Sequence, residues 1–317
     1  MEILEGYYVR VCGDIYAVKG VLHPPRKVVA IPTYVRKENG RYHRIRNLKE
    51  AFSYIEEKKP SYLEYLDFTG QKTPLIPLND VDEVYDPVKF DRADTEASRD
   101  ALMLKEILTS SSSKIKIGIT GSILLGLDEP SSDIDLVVYG VNSGERFINI
   151  LKDLRINNVV KPVNTIDWLT ETRRDSNISP EDWLRLESRK LLTGVFNNRL
   201  YTSKIVPFPR EYWEDLSQRV REIGRARMLC RVVDSRFGKT TPNLYLVEVL
   251  KIMYGDGKAR DVSQVMSMRS RFAEIASNGD IVEVEGRLEE VCCRDKKIYR
   301  IFLGNDERDK FLPVYRY

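Results

Sequence analysis

The part of the sequence that most restricts the fold runs from Ile117 to Val138 and reads IGITGSILLGLDEPSSDIDLVV. A short apolar run ends on Gly121 and Ser122, and a second apolar run begins around Asp133. Both runs have the length and the β-branched residues of buried strands, and the Gly-Ser pair indicates a turn. The pattern therefore predicts a strand, a turn, a loop and a second strand within a small α/β unit.

The polar residues of this stretch predict a phosphate and metal site. Gly121 lets the backbone approach a phosphate closely, and Ser122 offers a hydroxyl and an amide donor. Alternation along a strand puts Asp133 and Asp135 on one face with Ile134 buried behind them. Two carboxylates beside a phosphate cradle are suitable ligands for Mg²⁺ or Mn²⁺. The alternative is a solvated turn, because each short motif alone is common.

The same motif resembles that of the nucleotidyltransferases related to DNA polymerase beta: a hydrophobic strand, Gly-Ser or Gly-Gly, a spacer, then Asp-hydrophobic-Asp. Three further segments look like a little-characterised group of archaeal proteins predicted to be nucleotidyltransferases: HPP at His23 to Pro25, ESRK at Glu187 to Lys190 and MRSRF at Met268 to Phe272. The resemblance implies transfer of a nucleoside monophosphate from a nucleoside triphosphate to a hydroxyl, with release of pyrophosphate. Asp133 and Asp135 would then be the catalytic metal ligands.

One feature of that family is missing from the expected place. Members usually supply a third carboxylate from a later central strand, but the strand expected here, RLYTSKIVPF, contains no acid. Asp167 and Asp234 are the candidate substitutes, and a structural role is the alternative for each. Without a third acid, the chain could instead be a catalytically weak nucleotide-sensing or nucleic-acid-binding module. A part in a toxin–antitoxin pair is a third hypothesis.

Several cations are candidates for binding the triphosphate. Arg185 and Arg189 would share a face of a predicted helix, and the resemblance adds Arg189 and Lys190 as nucleotide-binding residues. A solvated helix face is the alternative. His23, before two prolines, is interpreted as part of a rigid turn in preference to a general base.

A second basic run lies in a segment that we interpret as a surface helix, EYWEDLSQRVREIG, and in the strand after it. Tyr212, Trp213 and Tyr245 are its candidate stacking partners for single-stranded bases. The intervening acids favour a plain surface role. The run consists of Arg219, Arg221, Arg225, Arg227 and Arg231.

The 317 residues suggest two or three compact units. Alternating patterns at both ends predict an α+β protein, in which a central polymerase-beta-like α/β unit lies between two β-rich regions. The predicted boundaries are 1–93, 94–208 and 209–317. The flanking regions are expected to shape the acceptor site, with the basic run from Arg219 to Arg231 as a candidate part of an acceptor-facing wall; the alternative is that their strands only cover hydrophobic surface. Deleting residues 1–90 should then impair acceptor use more than nucleotide binding.

Composition limits the choice of partners. The net charge is only +3, from 51 Lys and Arg against 48 Asp and Glu, so a site for a polyanion must be local. The four cysteines lack zinc-site spacing, and no leader or membrane-length apolar stretch is evident, which favours a cytoplasmic protein without a membrane partner. The acceptor could be RNA, a protein or a small molecule. The motifs do not distinguish ATP from CTP, GTP or UTP, and they leave the oligomeric state open.

Overall fold

The computed structural model describes residues 2–110, 115–164, 178–294, 296–304 and 306–314. Their backbone forms three sheets, and each sheet is built from one continuous stretch of the chain. Most strand pairs are antiparallel, and the helices are gathered mainly around the middle sheet. The predicted α+β class is confirmed. No helix in the described part of the chain is both long and apolar enough to cross a lipid bilayer.

Five helices occur within the described residues, and polar side chains cap three of them. The side chains of Asn47, Thr95 and Ser179 accept bonds from backbone amides in the first turns of the first, second and fifth helices. The helices are α1 Leu48–Lys58, α2 Glu96–Ser110, α3 Gly121–Leu125, α4 Val141–Ile156 and α5 Pro180–Glu187. Helix α5 ends at Glu187, the first residue of the ESRK segment, so Arg189 lies beyond the end of the helix on which it was predicted to share a face with Arg185.

The N-terminal sheet has seven strands, in the order β5-β6-β3-β2-β1-β7 with β4 paired to β3. All of its pairs are antiparallel. The strands are β1 Tyr8–Val11, β2 Asp14–Val18, β3 Lys27–Arg36, β4 Tyr42–Arg44, β5 Leu63–Leu66, β6 Gln71–Pro77 and β7 Glu83–Tyr85.

The central sheet has the order β10-β11-β9-β8, in which β9 and β11 are parallel. One face packs against α2 and α4 through residues such as Ile119, Leu136 and Phe147. The other face packs against the N-terminal sheet through Val137 and Tyr139. Burial on both faces explains the almost continuous apolar run of β9. The strands are β8 Ile117–Thr120, β9 Ile134–Tyr139, β10 Thr193–Phe196 and β11 Arg199–Val206.

The C-terminal sheet closes into a barrel because β12 pairs with both β13 and β15. Around the barrel the order is β12-β13-β14-β16-β15 and back to β12, and β14–β16 is its parallel pair. Trp183 and Leu186 of α5 pack into the barrel core. The strands are β12 Arg219–Asp234, β13 Asn243–Tyr254, β14 Val262–Ser267, β15 Ile281–Cys293, β16 Lys296–Leu303 and β17 Lys310–Pro313.

The prediction of a surface helix over EYWEDLSQRVREIG was wrong. A short 3₁₀ turn covers Pro209–Glu211, and from Arg219 onward the segment is the start of β12. Long-range pairing decided the outcome, since β12 pairs with β15 from Arg219 to Arg231.

Candidate functional site

Gly121 forms the turn between β8 and α3. Its φ is +72°, in the left-handed region that side-chain-bearing residues avoid. A β-carbon at this position would lie within 3.0 Å of the Oδ2 atom of Asp135. The antiparallel register pairs Thr120, the last residue of β8, with Asp135 and so brings the turn and the carboxylate together. Gly121 and the Asp135 carboxylate therefore face each other across a gap that any side chain at position 121 would fill.

The two aspartates flank Ile134 where β9 begins. Ile134 is fully buried in the core beneath the sheet, whereas Asp133 and Asp135 are only partly buried. Because alternate residues of a strand point to opposite sides, Asp135 lies on the face away from α2 and α4, and this is the face on which the Gly121 turn meets it. Asp133 directly precedes β9 and lines neither of the two cavities described below.

The neighbouring strand β11 contributes a hydroxyl and an ammonium group. Thr202 is the register partner of Asp135, and its Oγ1 donates a hydrogen bond of 2.6 Å to Asp135 Oδ1. Lys204 is two residues further along β11, on the same face. The strand that the resemblance designates for a third carboxylate therefore presents Thr202 and Lys204. Sequence reasoning missed both residues, because nothing local reveals that β11 lies parallel to β9.

The two candidate substitutes for a third acid do not fill this place in the described structure. Asp234 lies at the end of β12, where its carboxylate accepts bonds from the backbone amide and the Nε of Arg236. It lines neither of the two cavities described below. Asp167 lies outside the described residues. Within those residues, no group of three or more His, Cys, Asp or Glu side chains is arranged to hold a metal ion.

A buried carboxylate from the N-terminal region holds Lys204 in position. Glu5 is 2% exposed. Its carboxylate accepts hydrogen bonds from the Lys204 ammonium at 2.9 Å and from the Gly20 amide at 2.8 Å, and it forms an ion pair with the Lys19 ammonium at 3.7 Å. Burial alone would raise the pKa of Glu5, but these cations and the amide hold it below its ordinary value. Burial lowers the pKa of Lys204, yet Glu5 and then Asp135 outweigh burial and raise it. Lys204 is therefore a protonated cation between two carboxylates.

A small recess lies against Asp135. Its volume is about 60 Å³, and its walls include Gly6, Tyr8, Gly121, Asp135 and Lys204. Burial, and next the charge of Asp135, raises the pKa of the Tyr8 hydroxyl, so Tyr8 stays neutral beside the carboxylate. The recess is large enough for an ion with a few water molecules and too small for a nucleotide.

A much larger cavity adjoins the recess. Its volume is about 720 Å³, and it lies between the N-terminal sheet, β11 and the outer surface of the barrel. The recess and the cavity share Glu5, Tyr8, Lys19 and Lys204 as walls. A ligand in the cavity is therefore adjacent to the group of residues around Asp135.

The loop between α3 and β9 is fixed by residues on both sides. The Ser122 hydroxyl lies 3.4 Å from the Ser132 hydroxyl, which also accepts a 2.8 Å bond from the Glu129 amide. Arg199, at the start of β11, donates to the carbonyls of Pro130 and Ser132 at 2.7 and 2.8 Å. Arg199 thus holds the loop that leads into Asp133, a positioning role that the sequence did not indicate.

Arg189 and Lys190 are not brought to this place. Lys190 is buried, and its ammonium donates to Glu187 Oε1 at 3.1 Å and to the Arg271 carbonyl at 2.7 Å. Glu187 also accepts a bond from the Thr193 hydroxyl at 2.8 Å. Arg189 is exposed after the end of α5. Neither residue lines the recess or the large cavity.

The basic run that was expected to form part of an acceptor-facing wall lies along β12 with its charges paired. Arg221 pairs with Glu290, and Arg231 pairs with Glu248. Arg227 pairs with Glu283. Arg219 pairs with Asp67, and Arg225 pairs with both Asp306 and Asp309. None of the five arginines lines the large cavity.

Comparison with known proteins agrees with the resemblance. Residues 102–183, from α2 to α5, match the family model of the nucleotidyltransferase domain. An uncharacterized protein of Methanocaldococcus jannaschii is 27% identical over 342 aligned positions, which cover 98% of this chain and 95% of that protein. No solved structure gave a significant match. The predicted resemblance to polymerase-beta-like nucleotidyltransferases and to an uncharacterised archaeal group is confirmed.

Proposed function

We propose that this chain, which contains a nucleotidyltransferase domain, transfers a nucleoside monophosphate from a nucleoside triphosphate to a hydroxyl group and releases pyrophosphate in a Mg²⁺-dependent reaction. The observation that carries the proposal is the close approach of the Gly121 turn to the carboxylate of Asp135. A backbone turn without a side chain beside a partly buried aspartate provides room for phosphate oxygens and a cation together.

Asp133 and Asp135 are the proposed metal ligands. Mg²⁺ is usually held by one or two carboxylates together with substrate phosphates and water, so two aspartates are a sufficient protein contribution. When bound, the ion supplies positive charge to the phosphates and to the leaving pyrophosphate. The hydrogen bond from Thr202 fixes Asp135 Oδ1, so the carboxylate keeps its orientation before the metal arrives.

Lys204 is the proposed cation for the triphosphate. Its ammonium group is held by Glu5 at 2.9 Å on a wall of the recess that contains Asp135. A fixed cation next to developing negative charge lowers the barrier, because it needs little rearrangement during the reaction. Gly121 and Ser122 would hold phosphate oxygens on the opposite side. Arg189 and Lys190 stay candidates only for a conformation that differs from the one described.

Thr202 also favours a second function, a module that binds nucleotide and turns it over slowly or not at all. Its hydroxyl occupies the register position beside Asp135 on the strand that should carry the third acid. A hydroxyl can orient a carboxylate but cannot act as a charged metal ligand. Nucleotide binding without release of pyrophosphate would identify this module.

Pyrophosphate release and nucleotide binding, measured for each of the four nucleoside triphosphates with Mg²⁺ or Mn²⁺, test the proposal. Asp135→Asn keeps the shape of the side chain and removes the charge, so we expect at least about a 100-fold loss of release. Asp153→Asn is the matched control, because Asp153 is exposed on α4. Equal release by Asp135→Asn and by the unchanged protein would rule out the proposed metal site.

A further inference from the structure

We propose that the large cavity binds the end of a single-stranded nucleic acid, and that the terminal 3′-hydroxyl of this strand is the acceptor. The inference rests on the proposed function. In the reaction, the 3′-oxygen forms a bond to the α-phosphorus, and the bond from the α-phosphorus to the bridging oxygen breaks. Pyrophosphate leaves with that electron pair, and the hydroxyl proton passes to water. The nucleic acid grows by one nucleotide.

The charge of the cavity indicates a polyanionic ligand. Among the described residues that line it, nine are lysine or arginine and two are glutamate. Part of this charge is balanced, because Arg300 is ion-paired with Glu214 and Glu289, and Arg287 is ion-paired with Glu289 and Glu222. The described lining nevertheless holds more cations than carboxylates, in a chain whose net charge is only +3. A local cationic site of this kind is what recognition of a phosphate backbone requires.

The cations are distributed from the mouth of the cavity to the recess. Lys49 and Lys72 are exposed and make no ion pair within the described part of the chain. Deeper in, Lys19 and Lys204 share the single carboxylate of Glu5. A chain of phosphates entering at the mouth therefore meets positive charge along its path to Asp135.

Aromatic side chains lie between these cations. Tyr8, Phe52, Phe68 and Tyr212 line the cavity, together with Phe302, which is 8% exposed and has the Arg287 guanidinium over its ring. Bases of a single strand stack on accessible rings with little dependence on sequence, which is the usual mode of single-strand binding. A small polyphosphate would need the cations alone, so the aromatic lining favours a ligand with bases.

The barrel that forms one wall has the topology of a nucleic-acid-binding fold. Its five main strands follow the order 1-2-3-5-4-1, and strands three and five are parallel, as in the OB-fold. The outer surface of β14, β15 and β16 contributes Met266, Arg287 and Arg300 to the cavity. In OB-folds the ligand binds on the face of strands two and three, whereas this wall comes from strands three to five, so the topology is an analogy only and the argument rests on the lining residues.

The size and position of the cavity indicate that it binds the end of the nucleic-acid strand and not its middle. A volume of about 720 Å³ is that of a pocket for one small molecule, so only the terminal part of a polymer can enter. The shared walls at Tyr8 and Lys204 put that end beside the recess at Asp135.

Binding of a labelled single-stranded oligonucleotide to the full chain, without nucleotide and over a range of salt concentrations, tests the inference. The test variant is Lys49→Glu with Lys72→Glu. The matched control is Lys152→Glu with Lys161→Glu, which makes the same charge change at exposed lysines that line neither cavity. We expect at least about a 10-fold loss of affinity in the test variant only. The slope of log affinity against log salt should fall by about 1.4, or roughly 0.7 for each lost contact to a single strand.

RNA and DNA of one sequence, each with a normal or a 3′-deoxy end, distinguish the source of the strand and the reacting group. We expect the 3′-deoxy oligonucleotide to bind equally well and to receive no nucleotide. Equal loss of oligonucleotide affinity in both double variants would overturn the inference. Loss of triphosphate binding in the Lys49 and Lys72 variant would also overturn it, because the cavity would then hold the nucleotide. Selective oligonucleotide binding with no pyrophosphate from any nucleotide would instead support this site and contradict the proposed function.

Discussion

The position of the Asp135 carboxylate leaves no room for a side chain at Gly121, and adding a single methyl group at Gly121 tests this close contact. Gly121→Ala would put a β-carbon against Asp135 Oδ2, so the carboxylate must move. A displacement of about 1 Å at a reacting centre can cost about 100-fold in rate, and we expect a loss of that order in pyrophosphate release. Gly126→Ala is the control. Gly126 has a similar φ of +67°, but its β-carbon would meet only the Arg92 guanidinium, at 3.4 Å or more. Similar losses of activity in both variants would mean that backbone strain alone explains the effect.

Thr202 predicts how the site would respond to an added acid. Thr202→Asp would put a third carboxylate next to Asp135, and without metal the like charges should lower the free energy of unfolding by about 1 kcal/mol or more. Added Mg²⁺ should then raise the Tm more in this variant than in Thr202→Asn, which has the same shape without the charge. Thermal melting with and without Mg²⁺ measures both effects. An equal response in the two variants would place the metal away from Thr202.

His23 should make stability depend on pH. Its Nδ1 accepts a 3.2 Å bond from the Val29 amide, and its Nε2 donates 2.9 Å to the Ile3 carbonyl. Burial lowers its pKa to about 4, so the unfolded chain binds the proton first as pH falls below about 6.5. The contribution to stability is complete above pH 6.5 and should be lost between about 6.5 and 4, by no more than about 3 kcal/mol. His23→Gln should unfold with a flatter pH profile in chemical denaturation over this range.

The sequence predicted part of the candidate site. Gly121, Ser122, Asp133 and Asp135 lie within one short segment, and the antiparallel pairing of its two strands brings Gly121 against Asp135. Thr202 and Lys204 reach this place through a parallel pairing between distant strands, and Glu5 comes from the start of the chain. No local pattern encodes those contacts. The roles of the four predicted residues stay predictions until activity is measured.

At the scale of the element, β12 shows how helical spacing can mislead. Leu216, Val220 and Ile223 recur at intervals that suit a helix, yet Val220 is buried opposite Val291 of β15. Leu216 is 39% exposed and belongs to no helical face. The helices α1 and α2 differ from β12, because local features, namely capping residues and apolar faces, define them. Partners distant in sequence define β12.

The arginines of β12 provide an element-scale prediction. Arg221 and Arg231 are paired with Glu290 and Glu248 near the surface, where ion pairs contribute at most about 1 kcal/mol. Arg221→Gln with Arg231→Gln should therefore change the free energy of unfolding by less than about 1 kcal/mol. Oligonucleotide affinity should stay within about twofold of that of the unchanged protein, because neither residue lines the cavity. A much weaker affinity would indicate that the strand binds the outside of the barrel.

At the scale of the whole molecule, the N-terminal sheet covers the central one. Val137 and Tyr139 are buried against it, and the Thr120 hydroxyl donates to the Gly6 carbonyl at 2.5 Å. Deleting residues 1–90 would expose this apolar face, so we now expect loss of folding before any selective effect on acceptor use. Circular dichroism of the shortened chain checks this. The division into 1–93, 94–208 and 209–317 remains our proposal for the units of the chain.

Helix α5 connects the barrel to the segment that matches the nucleotidyltransferase family model. Trp183 is 1% exposed in the barrel core, 6.5 Å from Phe272 between ring centroids. Trp183→Ala should cost about 3–5 kcal/mol. We expect a single lowered transition in calorimetry, because the two regions share this core. Two separate transitions would show that they unfold independently.

The position of α5 also has a consequence for how such proteins diversify. A recombination event that joined the barrel of one relative to the central sheet of another at residue 208 would separate Trp183 from the core that it fills. In the resulting chimera, α5 would come from one relative and the barrel core that it packs into would come from another, so Trp183 would no longer fit that core. We therefore expect the segment from Ile178 onward to be inherited together with the barrel. Substitutions at Trp183 and Phe272 should covary among relatives.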